Sequence, residues 1–286
     1  MKPVPTFDCI MKLTILTDNQ AAPGLACEHG FAVLIETGGK RILFDTGQLG
    51  AFDANCRALG IDLSDIDIIV LSHGHYDHTG NLADVLRIAD RATLYLHPSA
   101  LVERYSIRNG KPKPIDMPEA AKQAIDELPK ERIVWVSEPT RLTDGVFLTG
   151  PVPRQTTFED TGGPFFFDPD GKTPDPIEDD LSLWIEKPEG LTVLAGCCHS
   201  GIVNTLDYIE SITGQKRIAT LIGGMHLSAA SPERLDRTVA SLAERDIARL
   251  IPCHCTGEAA AERFSKELPY PVEAGYAGMV VELGKK

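Results

Sequence analysis

Residues 72–80 read Ser72-His73-Gly74-His75-Tyr76-Asp77-His78-Thr79-Gly80, directly after a nearly continuous apolar run at 66–71. Such a run is the pattern of a strand buried on both faces. Three histidines and an aspartate therefore fall within six residues at a strand end. In extended chain, residues two apart point the same way, so His73 and His75 present their rings to one ion. Asp77 and His78 lie where the next helix begins, within reach of a second ion nearby. Gly74 frees the backbone to take a shape closed to other residues. Neutral imidazole is the commonest metal ligand, and mixed nitrogen and oxygen donors suit zinc, manganese or iron. One histidine in such a turn would read as a solvated residue or a helix cap; this density does not.

Working outward, three more histidines stand after apolar, strand-like runs. His199 follows 191–196, His226 follows 218–224 and His254 follows 247–251. With His73, His75 and His78, that makes six histidines at four strand ends. Functional residues collect at such ends in α/β proteins. The rest of the chain alternates in the same way. Strands are expected at 12–17, 31–37 and 41–46, with a hairpin turn at Gly38-Gly39, and at 93–96. Further strands are expected at 132–136, 146–149, 181–186, 191–195, 218–222, 247–251 and 279–283. Helical spacing marks 49–59, 82–89, 118–128, the segment from Ile202 to Ile209, the segment carrying Leu235, Val239 and Leu242, and 257–268. From 97 to 180 prolines accumulate (Lys-Pro-Lys-Pro, Gly-Pro-Val-Pro), and the stretch reads as a cap or insertion over one face of a single domain spanning 1–286.

Composition removes whole classes of function. The 286 residues are 43% hydrophobic and 24% charged, an ordinary globular balance. The net charge of −13 lacks the footprint of a general nucleic-acid binder. No apolar run approaches the ~18 residues that span a bilayer. The first ten residues have no signal-peptide core and read as a loose extension. Seven cysteines without an export signal read as reduced thiols of a cytoplasmic protein, with vicinal Cys197-Cys198 unsuited to bond to itself. The partner expected is a small anionic molecule, with no nucleic acid and no membrane; oligomeric state stays open.

The string His73-x-His75-x-Asp77-His78 resembles the signature of the metallo-β-lactamase superfamily. Ile42-Leu43-Phe44-Asp45-Thr46-Gly47 is similar to its first motif, Gly196-Cys197-Cys198-His199-Ser200-Gly201 to its third, and Cys253-His254-Cys255-Thr256-Gly257 to its last. Glu28-His29-Gly30, Asp179-Asp180 and Gly223-Gly224-Met225-His226 narrow the resemblance to a branch of dihydropterin-ribofuranosylaminobenzene 5′-phosphate synthase-like proteins. The resemblance implies an α/β chain folded as a four-layer αββα sandwich. It implies two divalent ions, zinc foremost, with His73, His75 and His199 at the first and Asp77, His78 and His254 at the second. It also implies a hydrolase using metal-bound hydroxide on a phosphoester or lactone, with Asp77 orienting the nucleophile and accepting its proton. A pterin-pathway transferase or lyase, and a redox or binding-only metalloprotein, are the alternatives. Many superfamily members carry an acidic residue between the third and last motifs that bridges both ions. Here that strand end offers only His226, as ligand, proton donor or substrate contact.

Other residues read two ways. Asp45 orients an imidazole or is a polar turn residue. Asp179 and Asp180 read first as an exposed acidic loop and second as site lining. His29 is a rim residue or a plain hairpin residue. Arg104, Arg108, Lys111 and Lys113 form a local basic cluster, a solvated face by default and an anion receptor otherwise. Phe165-Phe166-Phe167 reads as cap packing, or as a stacking surface. Cys253-His254-Cys255 as a zinc site of its own lacks a second cysteine pair.

Overall fold

The structure is a computed structural model that describes residues 11–284, so the expectation for the first ten residues lies outside it. Period-two burial explains the architecture. Val33, Ile35, Ile42, Phe44, Ile68 and Val70 point one way from their strands into one core. Their neighbours Ala32, Leu34, Leu43 and Ile69 point the other way into a second. The later strands split likewise, Leu183, Ile185, Leu194, Ile222 and Ile251 joining the first core. Trp184, Val193, Leu221 and Leu250 enter a third. The first core is thus shared by two sheets facing each other. The second and third are closed from outside by helices, giving the expected four layers αββα.

The first sheet runs, in spatial order, Val280–Leu283, Met11–Thr17, Ala32–Thr37, Lys40–Phe44, Ile68–Val70, Thr93–Leu96 and Ile133–Trp135. Its first four strands pair antiparallel and its last four parallel. The second runs Leu250–Pro252, Ile218–Gly223, Gly190–Ala195, Ser182–Lys187, Val146–Leu148 and Thr140–Thr143. Its first three strands are parallel. Parallel pairing sets the strand ends of one sheet side by side, which is why motifs far apart in sequence share a rim.

The stretch 97–180 differs from its expected form. It is not one cap. Ile133–Trp135 is an edge strand of the first sheet, and Thr140–Thr143 with Val146–Leu148 completes the second. Only a small three-stranded sheet of Tyr105–Arg108, Lys111–Pro114 and Phe165–Phe166 is separate from both.

Candidate metal centre and substrate cavity

His73 and His75 are placed by the extended segment after Ile68–Val70, and Asp77 and His78 by the short helix Tyr76–Thr79. Gly74 is required here: a Cβ on it would come within 2.0 Å of the Ala100 carbonyl oxygen. His199 follows Gly190–Ala195, His226 follows Ile218–Gly223, and His254 follows Leu250–Pro252. Asp45, Cys198, His226 and His254 all hold positive φ, between 46° and 62°. Non-glycine residues pay for that conformation, and such strain gathers at functional sites.

Hydrogen bonds fix how the rings present themselves. Asp45, fully buried, accepts from the Ser72 N–H and the Ser72 hydroxyl, each at 2.7 Å, and from His78 Nδ1 at 2.7 Å. The Ser72 proton is spent on that carboxylate, so at 2.9 Å the hydroxyl accepts from His73 Nδ1–H. His73 Nε2 is left with its lone pair, 2.9 Å from His75 Nδ1. His199 donates Nδ1–H to the Thr161 carbonyl at 2.7 Å, and His254 Nδ1 pairs with Asn19 Oδ1 at 2.9 Å. The buried nitrogens His75 Nε2, His199 Nε2 and His226 Nδ1 then have no hydrogen-bond partner, and His254 Nε2 has only the Asp77 carboxylate at 3.4 Å. Buried polar atoms are rarely left so, and this convergence fits divalent cations. Burial, reinforced by the imidazoles packed against them and at His75 by the Arg104 guanidinium, holds His73, His75 and His199 well below the usual histidine range, so they stand neutral, the form in which imidazole binds metal. For His78 burial opposes the charge, but the carboxylates of Asp45 and Asp77 outweigh it and raise the ring to about 9, so an ion held there would displace its proton. Asp77 is buried too, yet His78, His254 and His29 keep its carboxyl well below the usual range. Its Oδ2 lies 3.1 Å from His29 Nε2, 3.4 Å from His254 Nε2 and 4.0 Å from His78 Nε2.

The structure places all six sequence-derived ligand candidates and His226 on one rim, but among the described residues neither expected set of three forms a donor group: His73 and His199 group with Cys197, as do His78 and His254, Asp77 groups with His29 and His254, and His75 meets the His73 and His199 rings at 4.5 and 4.9 Å. Their rings form a chain of contacts: His73–His199 at 4.8 Å between centroids, His73–His78 at 4.3 Å, His78–His254 at 5.1 Å and His199–His226 at 4.3 Å. His29, absent from the ligand set read from sequence, joins Asp77 and His254 as a possible donor group. Its only sequence signal was its place in Glu28-His29-Gly30. Cys197 was missed as well: its sulfur lies 3.1 Å from His78 Nε2.

Two acidic expectations are corrected. Asp179 and Asp180 are fully buried, neither an exposed loop nor a cavity wall. Asp179 accepts from the Gly74 N–H at 2.7 Å and Asp180 from the Ser200 N–H at 2.8 Å, so each carboxylate holds in place a turn that carries a candidate ligand. Arg104 leaves the basic cluster: it is fully buried, 2.9 Å from Asp179 and 3.3 Å from Asp175. Arg108, Lys111 and Lys113 stay exposed and line a cavity of about 530 Å³ whose floor includes His75, Asp77, His226 and His254. Phe165 walls it, 5.4 Å from the His75 ring. A second cavity of about 440 Å³ also reaches His254, but its charged lining is Asp18, Glu258 and Glu262, which repels anions.

Asp45→Asn tests the orienting role. An amide cannot accept from all three donors without turning its own N–H groups on one of them. Apparent metal affinity is expected to fall about 10- to 100-fold, read by competition with a chromophoric chelator; unchanged affinity contradicts the role.

An αββα sandwich with this rim defines the class. The sequence model of the metallo-beta-lactamase superfamily matches residues 25–208, and the chain belongs to that superfamily. It is 30% identical over 265 residues to the 7,8-dihydropterin-6-methyl-4-(β-D-ribofuranosyl)-aminobenzene-5′-phosphate synthase of Methanocaldococcus jannaschii, covering 89% of this chain and 90% of that protein. An uncharacterized protein of the same organism, MJ0448, is 33% identical over 256 residues, 89% of this chain and 94% of the other. Among solved structures, Tm1679, described as a metal-dependent hydrolase of the β-lactamase superfamily, superposes with a TM-score of 0.81 at 31% identity. That match covers 96% of this chain and all of the other. Among the described residues, no helix is long and apolar enough to cross a membrane.

Proposed function

We propose that the chain is a metal-dependent hydrolase of small anionic esters, phosphoesters or lactones, holding two divalent ions with zinc foremost. The observation that carries this is the convergence of orphaned buried imidazole nitrogens on the floor of a cavity with three basic side chains on its wall. His73, His75 and His199 would hold one ion, and Asp77, His78 and His254 the other. When bound, such ions polarise the scissile group and lower the pKa of coordinated water to about 7. The protein's own groups do the rest. Asp77, kept ionised by the imidazoles around it, orients the attacking water and accepts its proton. His226, with a free Nδ1 on the cavity floor, donates a proton to the leaving oxygen. Arg108, Lys111 and Lys113 offset the chain's overall negative charge and seat the anionic group. Phe165 keeps bulk water from one side.

One finding favours a second reading, a pterin-pathway synthase: the likeness to the archaeal protein runs over nearly its whole length. In that case the basic wall takes a 5′-phosphate and Phe165 stacks on a ring. Product analysis separates the two. Release of an alcohol from a phosphodiester, or opening of a lactone to its hydroxy acid, supports the hydrolase. Turnover only when a pterin and a ribosyl phosphate are supplied together supports the synthase. Lys111→Glu with Lys113→Glu is expected to raise KM for a phosphoester about 10- to 100-fold, the worth of charged hydrogen bonds, with kcat little changed. An unchanged KM removes the anion subsite.

A further inference from the structure

Two adjacent ions are commonly joined by a shared protein donor, and the strand end where the superfamily resemblance expects a carboxylate reads Gly223-Gly224-Met225-His226. Geometry explains why no side chain sits at Gly224. A Cβ there would stand 2.4 Å from the Gly196 carbonyl oxygen and 2.6 Å from Cys255 Sγ. The Gly196 carbonyl and the Cys255 sulfur fill that space.

We propose that Cys197 supplies a thiolate shared by both ion positions. Cys197 Sγ and the donor nitrogens of His73 and His199 lie within 4.8 Å of one another. Cys197 Sγ forms a second group, within the same limit, with His78 and His254. No other described residue belongs to both groups. Cys197 is 2% exposed, and His199 and His254, whose Nε2 atoms make no hydrogen bond, belong to the groups on either side of it. Tetrahedral zinc with a Zn–S bond of about 2.3 Å and Zn–N of about 2.0–2.1 Å holds its donors about 3.5 Å apart. The 3.1 Å between Cys197 Sγ and His78 Nε2 is close to that spacing. On binding, the S–H bond breaks, sulfur–metal bonds form and the proton passes to solvent. A central thiolate selects zinc, cobalt or iron over magnesium, manganese or calcium. Cys255 has a different place: its sulfur meets the His226 N–H at 3.3 Å, in a group with His226 and Cys197 only.

This inference rests on the metal-centre reading above, and its test separates the two. Metal-free protein is loaded with Co(II), the bound ions are counted by mass spectrometry, and the near-ultraviolet spectrum is recorded. The chains compared are the wild type, Cys197→Ser, Cys255→Ser and Cys198→Ala, the last contacting Thr205 instead. A thiolate-to-cobalt charge-transfer band is expected in the wild type and Cys198→Ala, and its loss with at least one ion in Cys197→Ser. A full band in Cys197→Ser, loss in Cys255→Ser alone, or two bound cobalt ions with no band in the wild type overturns the shared thiolate while leaving the metal centre standing. No cobalt uptake by the wild type overturns both. Should Cys197→Ser fail to fold, zinc-edge X-ray absorption of the wild type gives the answer: a sulfur scatterer at about 2.3 Å is expected, and its absence from zinc-loaded protein refutes the proposal.

Discussion

His75→Ala is expected to abolish turnover, and Asp77→Asn to reduce it by roughly 10²–10⁴-fold, the usual span for a positioned proton acceptor. Both should leave far-ultraviolet circular dichroism and the melting transition close to wild type. His75 has one nitrogen 2.9 Å from His73 Nε2 and the other without a partner, so alanine takes away a donor and leaves the packed cores untouched. Asp77 is the anion toward which His29 and His254 both turn. An amide of the same shape keeps the packing but neither balances those rings nor takes a proton. Retained activity in both variants would remove the hydrolytic role from this rim.

The largest stability effect is expected away from the reacting groups, at Arg104. Its guanidinium is fully buried between Asp179 and Asp175, and Asp179 in turn holds the Gly74 N–H. Arg104→Met keeps much of the volume and strands two buried carboxylates. Breaking one partner out of a buried ion pair costs about 3–5 kcal/mol. Urea unfolding should show a loss of that size, and Asp175→Asn with Asp179→Asn in the same chain should recover part of it by removing the orphaned charges. A loss under about 1 kcal/mol would mean that the pair behaves as a surface bridge and that the turn at Gly74 is held by other contacts.

The core of the fold was legible because its strands are unbroken apolar runs, whose successive residues enter opposite faces of a sheet. Leu34 against Val33 and Ile35, or Trp184 against Leu183 and Ile185, announce a sheet with two buried faces. The histidine rim was legible because its donors follow apolar runs directly. Less visible were contacts made across long sequence separations. Asp179 and Arg104 are 75 residues apart, and an acidic pair before a strand carries no mark of burial. Cys197 read only as one of seven reduced thiols because its histidine neighbours His73, His78 and His254 come from other strand ends. The hairpin of Tyr105–Arg108 and Lys111–Pro114 was hidden by its two prolines, residues that speak against a strand except at an edge. Phe165–Phe166 is too short to show any period.

Metal analysis by mass spectrometry tests the central claim most directly, on protein purified without chelators or a histidine tag. Two ions per chain are expected, lost together with activity on dialysis against a chelator and restored by zinc. One ion or none per fully folded chain, with turnover undiminished, would contradict the two-ion centre.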